Sequence, residues 1–95
     1  MSVDEFFEMG TDLMMKTADA EAFTLIGKTD TATLGTRPAM TYDFTYRIGG
    51  NTYRYRQLIA IYRGMFYTLT YTATEAHFEE HLDALEAIIG AFVFR

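Results

Sequence analysis

Cysteine and tryptophan are absent from this 95-residue chain, and proline occurs once. Without cysteine there is no disulfide framework, no thiolate zinc site, no cysteine nucleophile and no lipid-modified N-terminal cysteine. Positive charge is scarce as well. Eight Lys and Arg stand against 13 Asp and Glu, a formal net charge of −5 and a pI near 4.8. A nucleic-acid footprint needs a basic face, so that balance argues against nucleic-acid partners. No apolar run approaches the roughly 20 residues of a membrane-spanning helix. Residues Met1 to Glu5 lack the basic and apolar regions of a signal peptide. The expectation is a soluble protein that is not exported, and is cytoplasmic if the chain is complete as given.

What is present is apolar and aromatic. Hydrophobic residues make up 49% and aromatics 16%, with eight Phe and seven Tyr, a composition incompatible with disorder. The length suits one domain over residues 1–95, able to bury a core but with little stability to spare. There is no internal repeat, low-complexity stretch or interdomain linker.

Ser2 and Glu5 form a capping-box pair ahead of Phe6, Met9 and Leu13 at helical spacing, with Phe7 and Met14 widening the stripe. This predicts a helix over Val3–Thr17. Residues 22–27 and 29–34 are rich in β-branched types and suit one long strand or two short ones. The segment from Gly35 to Pro38 reads as a turn. Met40, Tyr42, Phe44, Tyr46 and Ile48 alternate with polar residues, as a half-buried strand does. Gly49 and Gly50 then make a two-residue hairpin loop, which sets Tyr46 opposite Tyr53, Phe44 opposite Tyr55 and Asp43 opposite Arg56.

The next turn admits two registers. A two-residue loop at Arg63 and Gly64 places Ile59 opposite Thr68 and mixes polar with apolar residues. A three-residue loop, Tyr62 to Gly64, aligns Ile61 with Met65, Ile59 with Tyr67 and Gln57 with Leu69. The second keeps one face apolar and is the expectation. Tyr42, Tyr46, Tyr53, Tyr55, Tyr67 and Tyr71 then share that face. The other face carries Asp43, Arg47, Arg54, Arg56, Thr68, Thr70 and Thr72, with an apolar island at Leu58, Ala60, Tyr62 and Phe66. A second helix, capped by Thr74 and striped by Phe78, Leu82, Leu85, Ile88, Ile89 and Phe92, is expected to cover the apolar face. The first helix is expected over the island. The fold class is therefore α+β: an antiparallel sheet of four or five strands, with an N-terminal and a C-terminal helix.

Gly35 to Ala39 leading into an aromatic strand resembles a known family's entry into a long hairpin. Tyr53, Tyr55 and Gln57, followed by Tyr67 to Ala73, resemble its paired core strands, and Phe78 with Ile88 to Phe92 its closing helix. The family is the PsbP-like superfamily, which takes its name from an extrinsic photosystem II subunit and includes a Ran-binding nuclear-transport factor. The likeness covers roughly residues 20–94. It implies an α/β sandwich and mostly non-enzymatic roles in binding or assembly; fold does not fix which. Members usually begin with a strand hairpin carrying proline and tryptophan, which this chain does not have. A truncated member of bacterial type would leave one sheet edge unpaired, and an unpaired edge invites association. The resulting expectation is a homodimer that completes its sheet between copies, with an unidentified protein partner and no cofactor.

Chemistry-bearing motifs are few. His77, Glu80 and His81 fit the inverted zincin pattern H-x-x-E-H, with two histidines to share a metal and Glu80 to act on bound water. No third ligand is visibly positioned, so the simpler expectation is a solvated helix boundary. Glu75, Glu79, Glu80, Asp83 and Glu86 make an acidic helix face that suits a basic partner or, more simply, solvent. Arg47, Arg54 and Arg56 beside Asp43, together with Thr70, form the candidate interaction surface; cross-strand ion pairing is the alternative. The tyrosine-rich face is either core or the wall of a ligand pocket. The functional expectation is thus a non-enzymatic binding or assembly module. A small-ligand carrier and a metal-dependent hydrolase are its rivals.

Overall fold

A computed structural model describes residues 1–17 and 20–94. The chain runs from helix α1 (Val3–Thr17) through strands β1 (Ala22–Leu34), β2 (Arg37–Ile48), β3 (Asn51–Tyr62) and β4 (Met65–Thr74). A 3-10 segment over Glu75–His81 then leads into helix α2 (Leu82–Ala91). The strands form one antiparallel sheet in sequence order, β1-β2-β3-β4. Each helical layer covers one face.

The predicted start of α1 is built as its sequence requires. Glu5 N–H donates to Ser2 Oγ at 3.1 Å, and Ser2 N–H donates to Glu5 Oε1 at 3.0 Å, closing the capping box. The inward face of α1 differs from the expected stripe. Phe7 is buried, and Val3, Phe6 and Met14 pack around it, while Met9 and Leu13 face outward at 52% and 61% exposure.

The hairpin at Gly49 and Gly50 has the predicted register: Tyr46 pairs with Tyr53, Phe44 with Tyr55 and Asp43 with Arg56. The next hairpin corrects the prediction. Its loop has two residues, Arg63 and Gly64, both with positive φ (52° and 76°), so Tyr62 pairs with Met65 and Ile59 with Thr68. Two positive φ values define a type I′ turn, whose twist matches the flanking strands. Arginine tolerates the left-handed region here because the turn gains a regular, unbulged ladder. One residue of slip moves every β4 side chain to the opposite face. Tyr67, Leu69 and Tyr71 therefore lie with Asp43 and Arg56, and Thr68, Thr70 and Thr72 lie with the tyrosines of β2.

The helices also exchange places relative to expectation. The first packs on the Tyr42, Phe44, Tyr46 and Ile59 face, where Phe7 completes an aromatic core. The C-terminal segment covers the other face, where Leu34, Ala39 and Ala60 are buried with Leu69, Phe92 and Phe94 against them. The small side chains of Ala39 and Ala60 leave room there for the bulky Phe92 and Phe94 to close down. Backbone also meets backbone: Gly35 N–H donates to the Ile89 carbonyl at 2.8 Å, and a Cβ at Gly35 would collide with the Phe92 carbonyl oxygen. Only glycine fits a position so close to a second segment.

Candidate functional site

The two arginines of β3 and the aspartate of β2 face the C-terminal layer. Alternation along β3 puts Arg54 and Arg56 on one side, and the β2–β3 register sets Asp43 directly across from Arg56. The guanidinium of Arg56 grips Asp43 through two bonds, Nε to Oδ1 at 2.8 Å and Nη2 to Oδ2 at 2.9 Å. Arg54 Nη2 stands 3.6 Å from Asp43 Oδ2. Phe78 closes over the cluster, its ring 4.3 Å from Arg54 Cζ and 5.6 Å from Arg56 Cζ. The bonds to Asp43 raise the Arg56 pKa further. The cluster is thus partly roofed by the 3-10 segment, which Tyr71 pins by donating its hydroxyl to the Phe78 carbonyl at 2.6 Å.

The rest of the expected surface lies elsewhere. Arg47 pairs with Glu21 at 3.1 Å beside the β1 edge. Thr70 is on the α1 side of the sheet, where its hydroxyl accepts from Gln57 Nε2 at 3.1 Å. The structure therefore brings Asp43, Arg54 and Arg56 together and separates Arg47 and Thr70 from them.

His77 and His81 sit on the 3-10 segment, where an α-helix was expected. Three residues per turn align i with i+3. His77 Nδ1 accordingly meets Glu80 Oε1 at 2.7 Å on the exposed surface, and Glu80 titrates below the usual carboxylate range because of that bond. The α-helical i, i+4 alignment of the two histidines is lost. Among the described residues, no group of three or more His, Asp or Glu is placed to hold a metal. Thr74 takes the N-cap position but makes no side-chain capping bond.

The tyrosine face carries one of several concave features. A cavity of about 310 Å³ opens between α1 and the β3–β4 half of the sheet, lined by Phe6, Gly10, Thr11 and Met14 above and by Tyr46, Tyr55, Gln57, Thr68 and Thr70 below. Tyr46 donates to the Thr11 carbonyl at 3.3 Å, tying the helix to the wall. Burial, with Tyr55 and Asp12 nearby, pushes the Tyr46 phenol up to about 12. At the far end Tyr42 donates to Asp4 at 2.6 Å. That bond and Lys28 hold Asp4 low, while burial and the same bond push Tyr42 up. The helix contribution was missed in sequence. Its available signal is Gly10 between Phe6 and Met14 at four-residue spacing, a gap in an inward-facing row.

No family model and no curated protein matches the chain. In fold it is similar to the crystal structure of the protein of unknown function PA94 from Pseudomonas aeruginosa, with a TM-score of 0.77 and 19% identity. That match takes in 99% of this chain and 63% of PA94, so this chain spans under two thirds of its neighbour's length. The likeness supports the α+β fold and no more than the fold.

Proposed function

We propose that this chain is a non-enzymatic binding or assembly module of the PsbP-like, bacterial type, which associates with a second copy of itself by extending its sheet. One observation carries the proposal. The four-stranded sheet is open, and among the described residues no further strand pairs with the outer side of β1 or of β4. Each open edge presents a row of unpaired N–H and C=O groups that another strand can satisfy. Light scattering at tens of micromolar, with and without added zinc, tests it. Twice the chain mass in both conditions supports self-association, and the mass of one chain overturns it. Association that requires zinc favours His77 and His81 as ligands instead.

The second reading is a small-ligand carrier, favoured by the cavity of about 310 Å³ beneath α1, which lies at the low end of ligand-pocket sizes. It supports an apolar ligand with one hydrogen-bonding group, met by Gln57 or Thr70. Saturable enhancement of an apolar fluorescent dye, competed by such ligands, supports the carrier. Absence of dye binding counts against it.

A further inference from the structure

The two open edges of the sheet are not equivalent. β1 is irregular: its pairing with β2 shifts between Leu25 and Gly27 and again between Thr29 and Ala32, so it carries two bulges. It also presents Lys28 and Asp30, both exposed. Bulges and charges are the devices that blunt an edge against strand addition. β4 has neither. Its ten residues, Met65–Thr74, contain no charge, proline or glycine, and pair with β3 without a register break.

We infer that β4 is the associating edge, and that it pairs antiparallel with the β4 of a second copy. This rests on the self-association proposed above and specifies where it occurs. In a two-residue hairpin the residues flanking the loop exchange hydrogen bonds, so Met65, Tyr67, Leu69, Tyr71 and Ala73 bond to β3. The N–H and C=O groups of Phe66, Thr68, Thr70, Thr72 and Thr74 consequently point away from the sheet. A two-fold axis at Thr70 sets Thr70 opposite its own copy, Thr68 opposite Thr72, and Phe66 opposite Thr74. Every outward group then finds a partner. Thr68, Thr70 and Thr72 are exposed and suit a cross-strand threonine ladder. On the opposite face, Leu69 meets Tyr71 of the second copy, and both are only half-buried within one chain.

Among the described residues no strand pairs with the outer side of β4. After Thr74 the chain turns back across the face of the sheet, where Phe78 packs against Tyr71 of β4 and over Arg54 and Arg56 of β3. The Asp43, Arg54 and Arg56 cluster lies on β2 and β3, and no charge on β4 opposes a second β4.

The test compares two substitutions of one kind on the two edges, Thr70→Lys on β4 and Thr24→Lys on β1, by light scattering against the parent chain. The expected result is that the parent and Thr24→Lys have the mass of two chains, and that Thr70→Lys shifts to one. A two-chain mass for Thr70→Lys overturns β4 as the edge while leaving self-association standing. A one-chain mass for the parent overturns both. Hydrogen exchange on the parent keeps the test independent of variant folding. The amides of Phe66, Thr68, Thr70 and Thr72 are expected to be protected at high concentration and to exchange freely on dilution. Free exchange of these amides while the two-chain mass persists overturns the inference, and would leave another surface or another edge to hold the copies together.

Discussion

Phe7 lies face to face on Tyr42, with ring centroids 3.9 Å apart and planes 6° from parallel, while the Tyr42 hydroxyl donates to Asp4 one turn earlier on the same helix. One tyrosine thereby holds α1 twice, through its ring and through its oxygen. Phe7 is the buried residue of α1, at 6% exposure, and it also touches Phe23 and Phe44. Truncation of Phe7 to alanine removes the centre of that cluster and should cost about 3–5 kcal/mol, the range for a buried phenylalanine. Urea denaturation checks it. The same truncation at Met9 on the outward face should change the midpoint little.

The Tyr42–Asp4 bond and the buried Tyr46 give α1 docking two pH limits. Asp4 titrates below its ordinary 3.8. As pH falls the unfolded chain takes up that proton first, so the contribution is complete above 3.8 and is lost as pH drops through the lowered value. The tyrosines act in the opposite sense. Tyr46 is raised to about 12 from 10, so the unfolded chain releases its proton first and stability declines as pH climbs from 10 toward 12. Denaturation midpoints should be flat in these groups between the two limits. Asp4→Asn should shallow the acid limb, and phenolate absorbance should show two tyrosines ionising late.

Asp43 should matter more than any surface carboxylate, because Arg56 and Arg54 both depend on it. Its side chain is 18% exposed, against 51% for Asp4. Asp43→Ala takes the hydrogen-bonded anion from two guanidinium groups beneath Phe78, leaving Arg56 only the charge of Glu86 nearby, and should cost about 2–3 kcal/mol, the scale of charge-assisted bonds in partial burial. Adding Arg56→Met to that background should recover part of the loss, since an unpaired charge is then replaced by an apolar stem. A double-mutant cycle in urea measures both.

The parts of the fold legible in sequence are those fixed by local chemistry. Ser2 with Glu5 announces the start of α1, and Gly49 with Gly50 sets the β2–β3 register, because each signal is complete within a few residues. The β3–β4 register depends on whether Arg63 accepts a left-handed backbone, a small local energy that apolar patterning outweighs on paper. Once that one-residue choice is inverted, Tyr67 and Thr68 exchange faces and the expected tyrosine wall thins. Which helix covers which face depends on Ala39 and Ala60 admitting Phe92 and Phe94, a matter of shape that periodicity does not express. The cavity arises the same way, from Gly10 facing Thr68 and Thr70, which only the observed β3–β4 register brings to that face.

Gly10 offers a direct test of that cavity. Apart from its chain neighbours and the backbone of its own helix, no atom lies within 4 Å of where its Cβ would stand. Gly10→Ala therefore removes a glycine from the helix interior without a clash, and should stabilise by about 0.5–1 kcal/mol. Gly10→Leu should project into the space between Phe6 and Met14 and abolish binding of an apolar dye, while leaving the mass in solution unchanged. A thermal melt of the first variant and a dye titration of the second separate helix propensity from occupancy of the cavity.

The turn at Arg63 and Gly64 holds the last lever. Arg63 has φ 52°, a region where most L-residues lose about 1–2 kcal/mol and asparagine loses less. The Asn-Gly pair is the favoured filling of a type I′ hairpin. Arg63→Asn should therefore raise stability by about 0.5–1 kcal/mol and leave the Ile59–Thr68 pairing intact. A higher melting temperature with an unchanged cross-strand NMR contact between Ile59 and Thr68 confirms both points. If a three-residue loop were the true geometry, asparagine at this site would bring no gain, and Ile59 would contact Tyr67. The outcome also bears on association, because only the two-residue loop turns the N–H groups of Phe66, Thr68, Thr70 and Thr72 outward, where a second strand can reach them.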